Sequence, residues 1–402
     1  MSRAFLARAD SDTISSDLEL LSEEMRPLVE LELGVAEKEG LSKEEVDPLV
    51  VLSTAKSKLL HDGGYLLVVV KLEQLRHLRL QYSRAQRNLP VSWEIRLSPS
   101  GDPHRVDASR FSAVLIGIDE YASYPLQGSV SDVKLMEKYL IEDLGVPSNR
   151  IQLLVGSKEH TSLDDPIYPS RAHIVGALRS LITNPAIAHG DNIVIYYSGH
   201  GSYYSPHTEE DSEAGYIEAL CPIDRDAPGD NGKPVPDISD REFNMILSLI
   251  AEAKGHHITV ILDCCHSGGV CRSIPELGAR TSPPTACASL SNMLDAGEKN
   301  LMHYPGYRSI LAKDWFPDMD SHVALAACKD YQYARAKRVK RADGTVEGYI
   351  GIFTDSLVRV LRSGLYQKET TYAHLVRYLD KTSHQTPVVA GKHKHARLWY
   401  QG

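Results

Sequence analysis

Residues 258–268 read ITVILDCCHSG, and this stretch decides the fold that the sequence predicts. Its first five residues form an apolar run typical of a buried β-strand, and polar residues follow directly. Open α/β sheets place their chemistry at the carboxyl ends of their strands. Residues 192–201, NIVIYYSGHG, repeat the arrangement with a histidine after the strand. The two runs therefore suggest a thiol nucleophile and a histidine base at one edge of a sheet.

Strands and helices alternate on both sides of these two runs. Pro169 and Ser170 are typical of a helix start, and apolar spacing identifies the other elements. The predicted strands are 112–118, 150–155, 192–197, 258–262 and 322–327, and the predicted helices are 130–144, 169–184, 239–253 and 353–362. This alternation predicts an α/β domain whose mainly parallel sheet is flanked by helices. Residues 203–238 and 270–320 are expected to lack regular structure.

Residues 1–105 have a different pattern. Apolar residues at helical spacing occur over 18–33 and 60–87, and the proline-containing stretch 98–103 ends this pattern. We therefore predict a helical N-terminal region and a linker over 1–105, followed by a second domain over 106–402. The N-terminal region is either a regulatory or docking element or a simple packing appendage.

The composition of the 402 residues is that of an ordinary globular protein, with 42% apolar and 24% charged residues. A net charge of −9 argues against nucleic acid as a partner. No window approaches the run of about eighteen apolar residues that a transmembrane helix needs, so no membrane partner is expected. All six cysteines lie at or after Cys221 and two are adjacent, which fits reduced thiols in the cytoplasm or nucleus.

The motif residues have the chemistry of acyl transfer. A thiolate at Cys265 is a good nucleophile, and His200 could remove its proton and later deliver it to a leaving amine. The backbone N–H groups of Gly201 and Cys265 could form an oxyanion hole. These roles predict peptide hydrolysis through a thioester. His266 is a rival base, although sequence neighbours at a strand end point in different directions.

A structural interpretation of the same residues is also open. A cysteine at a strand end is more often a small buried apolar residue than a nucleophile. Either motif alone is weak support for function. The two motifs in one α/β domain together favour the catalytic interpretation.

Residues 197–201 (YSGHG) and 263–268 (DCCHSG) resemble the two signature motifs of the metacaspases, which are caspase-like cysteine peptidases. Residues 126–133 (LQGSVSDV) resemble the family's L-x-G-C-x-N-D-x motif, and residues 326–332 (AACKDYQ) resemble its small-subunit motif. Residues 385–387 (QTP) also fit the caspase-domain proteins of mushroom-type fungi. The motifs are specific because four occur in the right order.

The resemblance implies a caspase-like (caspase–haemoglobinase) fold for residues 106–402, with 270–320 as an inter-subunit type of linker. The chain departs from the family at Ser129, where a cysteine is usual, and at Ser131, where an asparagine is usual. These departures affect the predicted shape of the specificity pocket rather than the catalytic dyad.

The resemblance also implies roles for single residues. His200 and Cys265 match the catalytic dyad, whereas Cys264 matches a variable position and is expected to pack on the opposite side of the strand end. Substrate-binding positions of the family are matched by Asp132, Ser198 and Asp263, which would line the primary specificity pocket. Carboxylates there imply cleavage after Arg or Lys, because a buried cation needs an opposite charge. Without the resemblance, Asp132 would be interpreted as a first-turn helix acid and Asp263 as a strand-end cap.

Many family members are activated by calcium, although the peptidase chemistry requires no cofactor. Asp211 and Asp240 are the candidate calcium ligands, and the alternative for this acidic region is a solvated surface. Family members are often processed in the linker. The basic residues that would be self-cleavage candidates there are Arg272, Arg280, Lys299, Arg308 and Lys313.

The predicted function is that of a cysteine endopeptidase that hydrolyses protein or peptide bonds after Arg or Lys. Two alternatives remain open: a catalytically inactive caspase-like scaffold, and a relative on the same fold with a different specificity. By family resemblance the protein is expected to be a monomer.

Overall fold

The computed structural model describes residues 107–400 except 161, 205–216, 230–231, 266–278, 286–288, 330–331, 341–344, 364–369 and 383–384. The helical region predicted over residues 1–105 lies outside the described residues.

The centre of the domain is a six-stranded sheet. The described strands are β1 (Phe111–Ile118), β2 (Ile151–Gly156), β3 (Asn192–Ser198), β4 (Gly201–Tyr204), β5 (Ile217–Leu220), β6 (Ile238–Ser239), β7 (Ile258–Asp263), β8 (Val323–Ala326), β9 (Ala336–Lys340), β10 (Val346–Gly351) and β11 (Val388–Ala390). The order across the sheet is β11-β8-β7-β3-β1-β2, and only β11 runs antiparallel to its neighbour. The prediction of a mainly parallel sheet is confirmed.

Helices cover both faces of this sheet. They are α1 (Ser129–Lys138), α2 (Arg171–Thr183), α3 (Asp240–Lys254), α4 (Leu290–Leu301), α5 (Ile352–Arg362) and α6 (Tyr372–Tyr378), and α1 continues into a π-helical turn at Tyr139–Leu144. One apolar core joins the sheet to α1, α5 and α6, and the other joins it to α2 and α3. All eight residues of β1 are buried because both of its faces are covered.

Two stretches expected to lack regular structure contain it, so that prediction is wrong. Helix α4 lies within 270–320; the Ser289 side chain caps its start, and Met293, Gly297 and Leu301 are buried along one face. Strand β5 lies within 203–238, between β4 and β6 in a small antiparallel sheet. The spacing of four residues along α4 is a helical signal that the surrounding polar residues obscured.

Two adjacent parallel strands position the predicted site. Ser198 at the end of β3 pairs with Asp263 at the end of β7. The polar residues that follow the two strands therefore meet at one edge of the sheet, as the sequence predicts. Within the described residues, no helix is long and apolar enough to cross a membrane.

Candidate active site

The acidic pocket at this edge holds an arginine of the same chain. The Arg280 guanidinium lies 2.6 Å from Asp132 Oδ2 and 2.9 Å from Asp263 Oδ1. It also donates to Ser198 Oγ at 2.8 Å, and Ser198 Oγ in turn donates to Asp132 Oδ2 at 2.9 Å. Arg280 is only 1% exposed. The three predicted pocket residues thus surround one cation, which balances their buried charge.

The Arg280 carbonyl contacts the two predicted oxyanion donors. The backbone N–H groups of Gly201 and Cys265 donate to this oxygen at 3.1 and 3.2 Å. A Cβ at Gly201 would lie 2.1 Å from the Cys265 carbonyl oxygen, so only glycine fits at this close approach. Two convergent N–H groups of this kind can stabilise the negative charge that develops on a carbonyl under attack.

The segment 279–285, which contains Arg280, runs through the site in an extended form. Arg280 N–H donates to the Ala334 carbonyl at 3.1 Å, and Ser282 N–H donates to the Gly201 carbonyl at 2.9 Å. These backbone bonds hold the chain on both sides of the Arg280–Thr281 peptide bond. Such strand-like pairing is a common way for proteins to bind an extended peptide.

Of the five candidate self-cleavage residues, Arg280 is the one that the structure places in the pocket. Lys299, Arg308 and Lys313 are exposed in the same insert, and Arg272 lies outside the described residues. The Arg308 guanidinium lies over the Phe316 ring at 5.2 Å.

His200 follows β3 and is buried in its neutral form. Its Nε2 lies 2.6 Å from the Tyr124 carbonyl, which can only accept, so the proton is assigned to Nε2. Burial lowers the pKa of His200 to about 4, although the Tyr124 carbonyl opposes that shift. Nδ1 is buried and has no hydrogen-bond partner. The imidazole therefore keeps one unused acceptor, which is the form that a general base requires.

Cys265 is buried beside Ala334, whose N–H donates to Sγ at 3.0 Å. Burial is the main reason that the pKa of its thiol is raised, and a hydrogen bond with Cys328 adds to the rise. The thiol is therefore neutral near pH 7 and needs a base before it can attack. Since Nδ1 of His200 has no partner, the His200 imidazole and the Cys265 thiol are not hydrogen-bonded to each other through that nitrogen.

Cys264 lies on the opposite side of the strand end from Cys265. Its side chain belongs to the core beneath α2 and α3, whereas Cys265 belongs to the core beneath α1 and α5. The predicted division of the two cysteines between opposite sides agrees with this placement.

Four residues at the site were missed by the sequence analysis. Gly351 N–H donates to Asp132 Oδ1 at 2.7 Å, and Thr354 donates from both its backbone and its hydroxyl to Asp263 Oδ2. A Cβ at Gly351 would lie 2.3 Å from that same Asp263 oxygen. The other two missed residues, Tyr124 and Ala334, act through backbone atoms, for which the sequence carries no signal.

Asp132 has an altered pKa in this pocket. Burial raises the pKa of its carboxyl to about 7; Arg280 opposes this shift and the nearby Asp263 adds to it. A carboxyl with this pKa changes its charge near neutral pH, and its attraction for a cation changes with it.

One calcium candidate, Asp240, begins α3, and burial raises its pKa to about 6. The other, Asp211, lies outside the described residues. No group of three or more acidic, histidine or cysteine side chains suited to a metal occurs in the part of the chain that the structure describes. Calcium favours six to eight oxygen ligands, and the described residues do not bring that many together.

Comparison with known proteins agrees with this geometry. Residues 112–273 match the family model described as metacaspase, peptidase C14 domain, and this range includes both dyad residues. This segment is similar to the metacaspase peptidase domain.

Curated proteins similar to this chain occur in plants and fungi. Metacaspase-7 of Arabidopsis thaliana is 32% identical over 197 residues, which are 48% of this chain and 43% of that protein. Metacaspase-1A of Aspergillus oryzae is 31% identical over 157 residues, which are 39% of this chain and 34% of that protein. The chain thus spans less than half the length of these relatives.

Among solved structures, the chain aligns with a Geobacter sulfurreducens protein at 20% identity and a TM-score of 0.45, over 70% of this chain and 94% of that one. Caspase-1 of Spodoptera frugiperda aligns at 10% identity and a TM-score of 0.36, over 71% and 87% of the two chains. Both scores lie below 0.5.

Proposed function

We propose that this protein is a cysteine endopeptidase that cleaves after Arg or Lys, and that its own Arg280–Thr281 bond is its first substrate. One observation carries the proposal. The guanidinium of Arg280 lies between Asp132 and Asp263 while its carbonyl accepts from the N–H groups of Gly201 and Cys265. A bound substrate needs both of these contacts.

In the proposed reaction, Nδ1 of His200 takes the proton of the Cys265 thiol, and sulfur forms a bond to the Arg280 carbonyl carbon. The carbonyl oxygen becomes an oxyanion on the Gly201 and Cys265 N–H groups. The carbon–nitrogen bond to Thr281 then breaks, and His200 returns its proton to the Thr281 amine. Water hydrolyses the thioester and restores the thiol.

The low pKa of the imidazole and the raised pKa of the thiol keep both groups neutral at rest. His200 is neutral near pH 7 and is ready to accept a proton. Cys265 is protonated at rest, so its thiolate forms only in contact with the base. The proposed nucleophile therefore becomes a thiolate only as its proton passes to His200.

The proposal is tested with the purified full chain. Intact mass and N-terminal sequencing are expected to identify a fragment that begins at Thr281, and an arginyl coumarin peptide is expected to be hydrolysed. A matched aspartyl peptide is the control. Cleavage of the aspartyl peptide alone would favour a relative with different specificity, and no cleavage of either would favour the inactive scaffold.

A further inference from the structure

Side chains beyond the dyad and the acidic pocket hold the chain that leaves the site after Arg280. Arg225 donates from Nη1 to Ser282 Oγ and from Nη2 to the Pro283 carbonyl at 3.0 Å. Thr285 N–H donates to the Tyr204 hydroxyl oxygen at 3.2 Å. In the proposed reaction these residues follow the cleaved bond, so they lie on its primed side.

The Arg225 guanidinium is held in place by a residue outside this segment. It makes a bidentate contact with Asp237, from Nε to Oδ1 at 3.0 Å and from Nη2 to Oδ2 at 2.7 Å. Asp237 is fully buried and also accepts from the Tyr204 hydroxyl at 2.8 Å. Bidentate pairs of this kind fix the plane of the guanidinium, and its remaining N–H groups then point in set directions.

The two contacts of Arg225 differ in what they can recognise. The bond to the Pro283 carbonyl would form with any residue, because every residue has a carbonyl. The bond to Ser282 Oγ requires a hydroxyl on the side chain. Ser282 is 3% exposed and the Arg225 side chain is 13% exposed, so a residue without that hydroxyl would leave a largely buried guanidinium N–H without its partner.

We propose that Arg225, Asp237 and Tyr204 form a primed-side subsite that selects substrates with a hydroxyl-bearing residue at the second position after the cleaved bond. This inference rests on the proposed function and deepens it. The substrate class is a peptide with Arg or Lys, any residue, and then Ser or Thr. The proline that follows Ser282 in this chain keeps the peptide extended toward Tyr204.

The test uses two quenched fluorescent peptides based on residues 277–285. One has the natural sequence LGARTSPPT, and the other differs only by alanine in place of the serine. With the wild-type full chain, kcat/KM is expected to be about tenfold higher for the serine peptide, as expected for loss of one hydrogen bond to a charged group. Equal rates for the two peptides would overturn the inference without any protein variant.

Arg225→Lys supplies the second measurement. Lysine keeps the charge but lacks the planar guanidinium with its several N–H donors. The ratio of kcat/KM between the serine and alanine peptides is therefore expected to fall from about tenfold to less than about threefold. A ratio that stays near tenfold in this variant would assign the selectivity to another group. Each ratio is internal to one protein, so partial loss of folded protein does not alter it.

An arginyl coumarin peptide, which lacks primed residues, distinguishes the two proposals. If the wild type does not cleave it or the serine peptide, the proposed function has failed. If the wild type cleaves it and treats the two longer peptides alike, only the primed-side subsite has failed.

Discussion

Two buried arginines of this domain, Arg280 and Arg171, make similar ion pairs in different surroundings. Arg171 NH2 pairs with Glu242, and the two side chains are 10% and 0% exposed. Arg280 pairs with Asp132 and Asp263, and all three side chains are 1% exposed or less. By burial and charge alone, both arginines would qualify as candidates for a functional site.

Their backbones separate them. Arg171 begins α2, and its backbone N–H donates to Asp224. Its side chain pairs with Glu242 of α3, so it links the two helices. Arg280 lies outside the helices and named strands, and its carbonyl accepts from Gly201, which follows His200, and from Cys265 of the proposed dyad. A buried ion pair is therefore a candidate substrate contact only when the adjacent peptide bond also meets the proposed catalytic groups.

The largest effect is expected at the nucleophile. Cys265→Ala removes the sulfur that attacks, so self-cleavage at Arg280 is expected to fall by about 10⁴-fold or more. Mass spectrometry of the full chain over time measures this loss. Cys264→Ala is the matched control, because the neighbouring thiol packs on the opposite side of the strand end. If Cys264→Ala were the inactive variant instead, the assignment of the nucleophile would be wrong.

The next largest effect is expected at the arginine in the pocket. Arg280→Gln keeps a polar side chain, although a shorter one, but leaves Asp132 and Asp263 without a cation, and cutting at this bond is expected to slow by about 10²- to 10³-fold. Arg280→Lys keeps the charge and is expected to slow cutting by less than about tenfold. Fragment masses measure both rates. Rapid cutting of the Gln variant after position 280 would contradict the Arg or Lys specificity.

Glu242→Gln tests the other arginine of the comparison. It breaks the pair with Arg171 and leaves a buried charge, so the free energy of unfolding is expected to fall by about 3–5 kcal/mol. The position of self-cleavage is expected to remain after Arg280, since Glu242 lies away from the pocket. Urea unfolding and fragment masses give the two readouts. A changed cleavage position with unchanged stability would reverse the distinction between the two arginines.

Much of this site is predictable from the sequence because strand ends are local features. The apolar runs before Ser198 and Asp263 place His200 and Cys265 at one edge, and the first-turn position of Asp132 places it nearby. The choice of Arg280 among the basic residues of its insert is not local. It depends on contacts that the 279–285 segment makes with Gly201, Ala334 and Arg225, which lie in distant parts of the chain.

The same limit explains the other differences. Tyr124 has a φ of 57°, and its backbone carbonyl accepts from His200. Nothing in a tyrosine side chain indicates this left-handed conformation in the sequence. Gly351 is a pocket wall only because α5 begins next to Asp132 and Asp263 in space. Patterns in the sequence describe strands and helices well, but they do not report which loop backbone reaches a strand end.

The smallest predicted effect is a pH dependence that belongs to Arg280's pocket and not to the Arg171 pair. The carboxyl of Asp132 has a pKa of about 7, above its ordinary value, so it is neutral at lower pH and charged at higher pH. This pKa is that of the pocket with Arg280 in it, and the pKa is higher once the cation has left, so binding of an arginyl substrate weakens as the pH falls toward 7. KM for an arginyl coumarin peptide is expected to rise as the pH falls from about 9 to about 7 and to level off below that, where the carboxyl is protonated with or without the cation. His200 does not contribute to this pH dependence, because its pKa of about 4 keeps it neutral throughout.

Asp132→Asn is expected to bind the peptide weakly at both pH values with a flat KM profile. A wild-type KM that is equally flat would show that Asp132 does not carry the charge that attracts the arginine.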